Sequence, residues 1–343
     1  MIRLAALLSL ALCVGEAQAA DPLEVLRGEG YASAAAVAKA LPIGPKDSAW
    51  EKAAPISLLA YPQSTVKPGL AEDGAAPLKM ELRVLAKGRE LAVRLSWPDA
   101  AIEPWRTDRT DSFADAAALQ FALPGREGTL PYIGMGEPDR PVDLWLWRNG
   151  RETEKLSAHG FGTLERQPGK SPDGDALWEN GTWRVVLTGT IPNKAGPLLA
   201  LSAAIWNGGD AGRDGRKRHT AWHLITFPGA RTNSKVLSGL VKEGTASGTP
   251  ERGKNLAEEH GCPGCHRVAG GDPVETGPDL TLAGGQHWPG YLRRSVKRPS
   301  SFLVPVDRFA EEGNLTSGKS LMPSLDLSDQ DVEDLVAYLR SMK

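Results

Sequence analysis

Cys262-Pro263-Gly264-Cys265-His266 is the stretch that decides the fold of the region around it. Its spacing, C-x-x-C-H, is the attachment sequence of a covalently bound c-type haem. In such a site the two thiols bond to the haem vinyl groups, and the histidine ligates the iron from the proximal side. A thioredoxin-like redox pair does not need the histidine, and a zinc site needs a second ligand pair that this sequence lacks. The motif therefore predicts haem c.

The composition fits a chain of two domains, one of them rich in β-structure. A length of 343 residues is sufficient for two domains of ordinary size. The 40 basic and 42 acidic residues nearly cancel, so the charge does not indicate nucleic acid or an anionic membrane surface as a partner. The high content of Gly (38) and Pro (26) favours a loop-rich β domain over a helical bundle.

The first 20 residues have the features of a secretory signal peptide. Arg3 is basic, residues 4–14 form an apolar run, and Ala17-Gln18-Ala19 is a small-x-small cleavage site. The apolar run is too short to span a bilayer, and no later stretch reaches spanning length. We therefore expect export to the periplasm, cleavage of residues 1–20, and no membrane span.

Residues 21–232 contain many short stretches in which apolar and polar side chains alternate, a pattern typical of β-strands. Two of these, 78–85 and 90–97, flank the turn Lys87-Gly88-Arg89 and predict a hairpin. Further strands are predicted at 116–123, 142–147, 182–190, 198–206 and 220–227, whereas 32–40 looks helical. Short strands separated by turn signals predict a mainly antiparallel β-sandwich.

The remainder of the chain changes pattern. Residues 233–250 are rich in Ser, Gly, Thr and Lys, which predicts a linker. From residue 251 to 343 the pattern predicts an all-α domain, with helices at 253–260, 287–297 and 328–342. Ser328 and Asp331 form an approximate capping box at the start of the last helix.

Residues 251–343 resemble the monohaem class I cytochrome c family over the whole segment. The matching features are the helix before the haem motif, Gly277-Pro278-Asp279-Leu280, Leu321-Met322-Pro323, and a C-terminal helix with Tyr338. The resemblance implies that the Pro278 carbonyl orients His266, which fixes the imidazole and its basicity.

The haem c iron requires a sixth ligand, and Met322 is the predicted one. A thioether opposite histidine raises the reduction potential and suits electron transfer. Met322 could instead be an ordinary core residue, and Met342 and His287 are the alternative ligands. With both axial positions filled, the domain is expected to transfer electrons rather than act as a haem peroxidase.

The sandwich region contains no nucleophile–base pair, paired-histidine metal motif or phosphate loop. It does contain a methionine in Gly134-Met135-Gly136 and a Gly-rich basic loop with Lys217. From the residues alone, packing for Met135 and a solvated charge for Lys217 are the simpler interpretations.

A resemblance to a known family favours functional roles for Met135 and Lys217 over these simpler interpretations. Residues 21–232 are similar to the haem b-binding gamma subunits of ethylbenzene dehydrogenase and dimethylsulfide dehydrogenase, which belong to periplasmic molybdenum enzymes. The matching pieces are 91–99, 115–121, 135–136, 141–147, 183–188, 204–208 and 215–217, with Trp222 beyond them.

In that family a methionine and a lysine ligate a non-covalent haem b, which implies Met135 and Lys217 here. A lysine ligates only as the neutral amine, and both burial and the charge of the iron would lower its pKa. His219 and His223 remain alternative ligands, because histidine is the commoner haem ligand in general.

Together, the cytochrome c and gamma-subunit resemblances imply a two-haem electron-transfer subunit that is not itself an enzyme. Well-known family members carry haem b alone, and the haem b/haem c subunit of nitrite oxidoreductase is more similar in arrangement. The implied partners are iron–sulfur and molybdenum catalytic subunits and a soluble redox carrier. The alternative is a ligand- or carbohydrate-binding sandwich module fused to a monohaem cytochrome c.

Overall fold

The computed structural model shows a region of β-strands followed by a region of helices. It describes residues 31–36, 40–41, 44–65, 70–71, 74–125, 127–191, 198–227, 233–272, 274, 276–304 and 319–343. The predicted signal peptide, residues 1–20, lies outside the described residues. The predicted order, a mainly antiparallel β region and then an α-helical region, is confirmed. None of the described helices is both long and apolar enough to cross a membrane.

Fourteen strands are found in the described part of the β region. They are β1 (Tyr31–Ser33), β2 (Ala35–Ala36), β3 (Ile56–Pro62), β4 (Leu78–Lys87), β5 (Glu90–Pro98), β6 (Ala116–Ala122), β7 (Val142–Arg148), β8 (Glu154–Ala158), β9 (Glu165–Arg166), β10 (Asp173–Glu179), β11 (Thr182–Thr190), β12 (Leu198–Trp206), β13 (Arg218–His219) and β14 (His223–Thr226). Each strand predicted from alternation is present, although the last is shorter than predicted.

The prediction of a helix at 32–40 is wrong for residues 32–36, and residues 37–39 lie outside the described residues. In its place β1 pairs in parallel with β14, and β2 pairs in parallel with β4. The alanines of this stretch favour a helix by local propensity, but pairing with strands that are distant in sequence overrides that preference.

The strands form two sheets that β3 connects. The first sheet has the order β10-β11-β5-β4-β3, and the second has the order β13-β12-β6-β7-β8-β9. The first five residues of β3 pair with β4, whereas Tyr61 and Pro62 pair with β13 in the other sheet. The pairings along this path are antiparallel.

The main apolar core lies between the two sheets. Leu95 and Leu187 of the first sheet and Leu119 and Leu199 of the second are all fully buried in it. Burying one such side chain stabilises the fold by about 1.5–3 kcal/mol. Alternation along each strand directs these residues inward, which leaves the outer faces for other contacts.

Five helices follow in the described part of the chain. They are α1 (Ser234–Gly244), α2 (Pro250–Glu259), α3 (Ala283–Gln286), α4 (Pro289–Lys297) and α5 (Asp329–Ser341). The capping box is confirmed, with Ser328 and Asp331 each bonding the backbone of the other. A Cβ atom on Gly253 of α2 would lie 1.9 Å from the carbonyl oxygen of Asp334, so only glycine allows α2 to cross α5 this closely.

The stretch 233–250, predicted as a linker, contains helix α1 and is packed. Leu240 of α1 is fully buried, and a Cβ on Gly239 would lie 1.9 Å from the carbonyl oxygen of Glu127 in the sandwich. A Cβ on Gly244 would lie 2.6 Å from the ring of Trp288 in the helical region. The glycines that suggested flexibility are therefore positions of close packing against both regions.

The helical region also docks directly on the sandwich. The amide Nε2 of Gln286, 1% exposed, donates to the Pro62 carbonyl at 2.6 Å, and Ser64 Oγ donates to Gln286 Oε1 at 3.1 Å. The ring of Tyr61 covers Gly285 so closely that a Cβ there would lie 2.1 Å from Cζ. The end of β3 and helix α3 are thus in direct contact.

We expect Gly285→Ala to weaken this docking, because the added methyl group overlaps the Tyr61 ring. The free energy of unfolding, measured by urea denaturation of the full chain, should fall by about 1–3 kcal/mol. In a Tyr61→Ala background the same substitution should cost much less. Equal costs in both backgrounds would contradict the proposed contact.

Candidate functional site

The C-x-x-C-H motif forms one turn directly after α2. Gly261, at a φ of +69°, ends the helix in the left-handed conformation, and Cys262 to Gly264 form a 3₁₀ turn. The backbone N–H groups of Cys265 and His266 both donate to the Cys262 carbonyl, at 3.1 and 3.0 Å. Cys262 is half-buried and Cys265 is exposed, and they do not form a disulfide with each other.

His266 is oriented by the residue that the cytochrome resemblance indicated. Its Nδ1 lies 2.9 Å from the Pro278 carbonyl oxygen, a bond that requires the proton on Nδ1 and leaves the Nε2 lone pair available. Burial lowers the pKa of His266, which favours the neutral ligating form. Residue 277, next to the His266 ring, must be glycine, since a Cβ there would lie 2.8 Å from His266 Nδ1.

Met322 lies half-buried in the loop before α5. Its N–H donates to Ser320 Oγ at 3.1 Å, and the Ser320 N–H donates to Ser300 Oγ at 3.0 Å, which ties the loop to the turn after α4. The alternative Met342 is 3% exposed, and its carbonyl accepts from Gly284 at 2.8 Å, so it is a core residue. Ligation by Met322 stays a prediction.

A cavity of about 1040 Å³ lies on the outer face of the second sheet. This volume is at the upper end of the range for ligand pockets, about 300–1,000 Å³. Alternate residues of three neighbouring strands line it, namely Ala116, Ala118 and Gln120 of β6, Leu144, Leu146 and Arg148 of β7, and Ser202, Ala204 and Trp206 of β12. Small side chains predominate on β6 and β12, so this part of the cavity wall has room for a flat group.

Met135 lines the cavity from the loop between β6 and β7. The loop is held to the sheet because Gln120 Nε2 donates to the Ile133 carbonyl at 2.9 Å. Met135 has a φ of +67°, a left-handed conformation that costs a side chain with a Cβ about 1–2 kcal/mol. Such strain persists where surrounding contacts enforce it, and it is frequent at ligand clamps. Here Gly160 N–H donates to the Met135 carbonyl at 2.8 Å.

Lys217 lines the same cavity. Burial lowers the pKa of its amine to about 8, although Asp214 opposes the shift. Its Nζ lies 5.1 Å from the centroid of the Trp206 ring, and no carboxylate of the described residues forms an ion pair with it. The structure thus brings Met135 and Lys217, which are far apart in sequence, to one cavity.

Two histidines also line this cavity. His219 does so from β13, and burial lowers its pKa to about 4, while His223 is not among the described lining residues. His287 enters from the helical region, with its ring stacked on Tyr132 at 5.7 Å. Sequence reasoning considered His287 only for haem c, because nothing local indicates that the domains dock at this point.

A buried ion pair holds the Met135 loop against helix α4. Glu137, 3% exposed, accepts from the Tyr132 N–H at 2.7 Å, from Arg140 Nε at 3.2 Å and from Arg294 Nη1 of α4 at 3.1 Å. Burial alone would raise the pKa of Glu137, but the hydrogen bonds and charges of Arg294 and Arg140 outweigh it and lower the pKa. The helical domain therefore supports the cavity loop.

Comparisons with known proteins match both regions. A family model described as ethylbenzene dehydrogenase matches residues 47–173, and one described as cytochrome c matches residues 250–343. Chlorate reductase subunit gamma of Ideonella dechloratans is 31% identical over 229 residues, which cover 63% of this chain and 92% of that protein. The chain belongs to the ethylbenzene dehydrogenase/dimethylsulfide dehydrogenase gamma-subunit-like family.

Other relatives agree with this family. A respiratory nitrate reductase heme subunit, ORF7, of Haloferax mediterranei is 29% identical over 54% of this chain and 68% of its own length. Dimethylsulfide dehydrogenase subunit gamma of Rhodovulum sulfidophilum is 28% identical over 36% of this chain and 51% of its own length. Together with the cytochrome c domain, these matches support electron transfer as the role and haem c as a cofactor.

We expect the stability of the chain to depend on ionised Glu137. Since its pKa is lowered on folding, its contribution is present above the ordinary value of 4.5 and is lost as the pH falls through the lower folded value. Glu137→Gln should cost about 2–4 kcal/mol at pH 7 and progressively less below pH 4.5. Thermal unfolding between pH 3 and 7 measures this difference.

The control is Glu258→Gln, which changes an exposed glutamate that pairs with Lys254 at 3.9 Å. It should have almost no effect at any pH, because exposed ion pairs stabilise little. A loss for Glu137→Gln that does not change with pH would exclude the carboxylate charge as its cause.

Proposed function

We propose that this chain is the periplasmic two-haem electron-transfer subunit of a molybdenum oxidoreductase complex. It relays electrons between an iron–sulfur partner subunit and a soluble redox carrier, and it turns over no substrate itself. The observation that carries the proposal is the combination, on one chain, of an oriented C-x-x-C-H motif and a large cavity lined by Met135 and Lys217.

The helical domain has the residues to hold haem c. Cys262 and Cys265 would form the thioether bonds. His266 Nδ1 is bonded to the Pro278 carbonyl, so Nε2 would be the nitrogen that ligates the iron. Met322 would supply the sixth ligand from the loop that Ser320 anchors. Each haem, when bound, supplies reversible one-electron chemistry at its iron.

The sandwich has a donor set that fits haem b. The cavity is broad, and small residues on two strands leave room for a planar group. Met135 offers a soft thioether from a strained, well-held loop. Lys217 offers an amine with a lowered pKa and thus easier access to its neutral form. If Met135 and Lys217 both ligated the iron, neither residue would leave a position for substrate, and the group would serve electron transfer.

The packing of the two domains favours a relay within the chain. His287 of the helical domain completes the wall of the cavity and stacks on Tyr132, which also contacts Tyr291 at 4.8 Å. The Glu137–Arg294 pair joins the two domains at the same interface by two hydrogen bonds. The proposed haem b site therefore borders directly on the domain proposed to hold haem c.

The proposal of a periplasmic complex rests on the relatives and on the N-terminal sequence. The relatives are gamma subunits of chlorate reductase and dimethylsulfide dehydrogenase, which are multisubunit enzymes by name. Residues 1–20 have the sequence features of a signal peptide, and export agrees with covalent haem attachment. A catalytic complex in the periplasm is the assembly that both features favour.

We expect Met135→Ala and Lys217→Ala each to lose haem b while keeping haem c. The absorption bands of the pyridine haemochromes measure the two haem types in purified full-length protein. Lys170→Ala, at an exposed lysine paired with Asp173, is the matched control and should keep both. Unchanged haem b in both variants would assign its ligands to other residues, such as His219. A wild-type spectrum of c type alone would refute the haem b proposal and favour a binding module that takes another ligand.

We expect Met322→Ala to keep covalent haem c but to lower its reduction potential, because the thioether is the ligand that raises it. Spectroelectrochemical titration measures the change. The control is Met342→Leu, which conserves volume in the core and should leave the potential unaltered. A wild-type potential in Met322→Ala would assign the sixth ligand to another residue.

A further inference from the structure

Three carboxylates meet at the ends of the loop between β5 and β6. Asp99 directly follows β5, Asp115 directly precedes β6, and Glu103 lies between them. One carboxylate oxygen of each lies within 4.8 Å of the others. Asp99 is 6% exposed and Asp115 is 0% exposed, so this is an interior site rather than a solvated acidic surface.

The charge of this group is not balanced by the protein. None of the described Lys and Arg residues forms an ion pair with Asp99, Glu103 or Asp115. Asp99 Oδ2 and Glu103 Oε2 are buried and have no hydrogen-bond partner. Buried charges in proteins are normally paired or coordinate a metal, because an uncompensated buried charge is costly. The two oxygens without partners are the second feature that indicates a cation.

The site is rigidly built. Asp115 Oδ2 accepts from the Glu103 N–H at 2.7 Å, and its Oδ1 accepts from the Gly208 N–H at 3.0 Å. The Glu103 carbonyl accepts from the Asp115 N–H at 2.9 Å and from Asn149 Nδ2 at 3.2 Å. A Cβ on Gly208 would lie 2.5 Å from the Glu103 Cβ, so the turn after β12 packs directly on the site.

We propose that Asp99, Glu103 and Asp115 form a calcium-binding site. The donors are all oxygen, which suits hard cations and not zinc or copper. At a Ca–O distance of about 2.3–2.6 Å, two ligands of one ion are at most about 5.2 Å apart, so three oxygens within 4.8 Å of one another can share one calcium ion. Magnesium, at about 2.0–2.1 Å, requires a smaller octahedral cage. Three carboxylates from loop positions, completed by water, match calcium better.

The site also bears on the cavity. Trp105, Phe113 and Ala114, which lie between Glu103 and Asp115 in sequence, line the cavity on the second sheet. A bound ion would tie both ends of this loop together and hold that wall in place. The site itself involves no proposed haem ligand, so its test is independent of the haem proposals.

The experiment uses the full-length, haem-loaded protein, first treated with a chelator and then with about 1 mM Ca²⁺ or Mg²⁺. We expect calcium to raise the melting temperature by about 3 °C or more, and magnesium to do so far less. Asp99→Asn and Glu103→Gln should abolish the rise. Asp108→Asn, in the same loop but exposed and paired with Arg106, should keep it.

Two measurements at 25 °C do not depend on the variants' stability. One is calcium content by mass spectrometry, and the other is terbium luminescence sensitised by nearby tryptophans. Wild type and Asp108→Asn should retain one ion per chain, and Asp99→Asn and Glu103→Gln should retain none. The proposal is overturned by no calcium response in the wild type, by an equal response to magnesium, or by wild-type binding in Asp99→Asn and Glu103→Gln.

Discussion

The structure depends most on the docking of the helical domain on the outer face of the second sheet. The sandwich has a complete core between its sheets, but its outer face presents apolar residues of β6, β7 and β12. Leu240 and Trp288, both nearly fully buried, cover part of that face from the helical side. Apolar burial supplies most of the free energy of this contact, and the buried Glu137–Arg294 pair makes its geometry specific.

That docking leaves one part of the face uncovered, and this part is the cavity. The strands that form it carry large residues such as Leu119 and Trp145 on the inner face and small ones such as Ala118 and Ala204 on the outer face. Because side chains alternate along a strand, the same three strands can complete the core and also provide space for a ligand. The helical domain then closes the space with His287.

The two candidate haem sites differ in how they are built. The haem c site is nearly local: five consecutive residues form the motif, and Pro278 orients the histidine from a nearby loop. The candidate haem b site combines residues of a strained β6–β7 loop, a basic loop before β13 and a helix N-terminus in the other domain. A local site can be recognised from a motif, whereas the second requires the two sheets and the domain interface to be in place.

The sequence by itself determined the C-x-x-C-H site, the hairpin of β4 and β5, five of the other twelve described strands and the capping box of α5, because each depends on neighbouring residues or on simple alternation. It also indicated Met135 and Lys217, but only through resemblance. Only the tertiary structure decided that 233–250 contains a packed helix, that residues 31–33 and 35–36 form strands, that His287 lines the sandwich cavity, and that three separate acids meet. Composition cannot distinguish a glycine needed for close packing from one in a flexible linker, since that difference lies in contacts between residues distant in sequence.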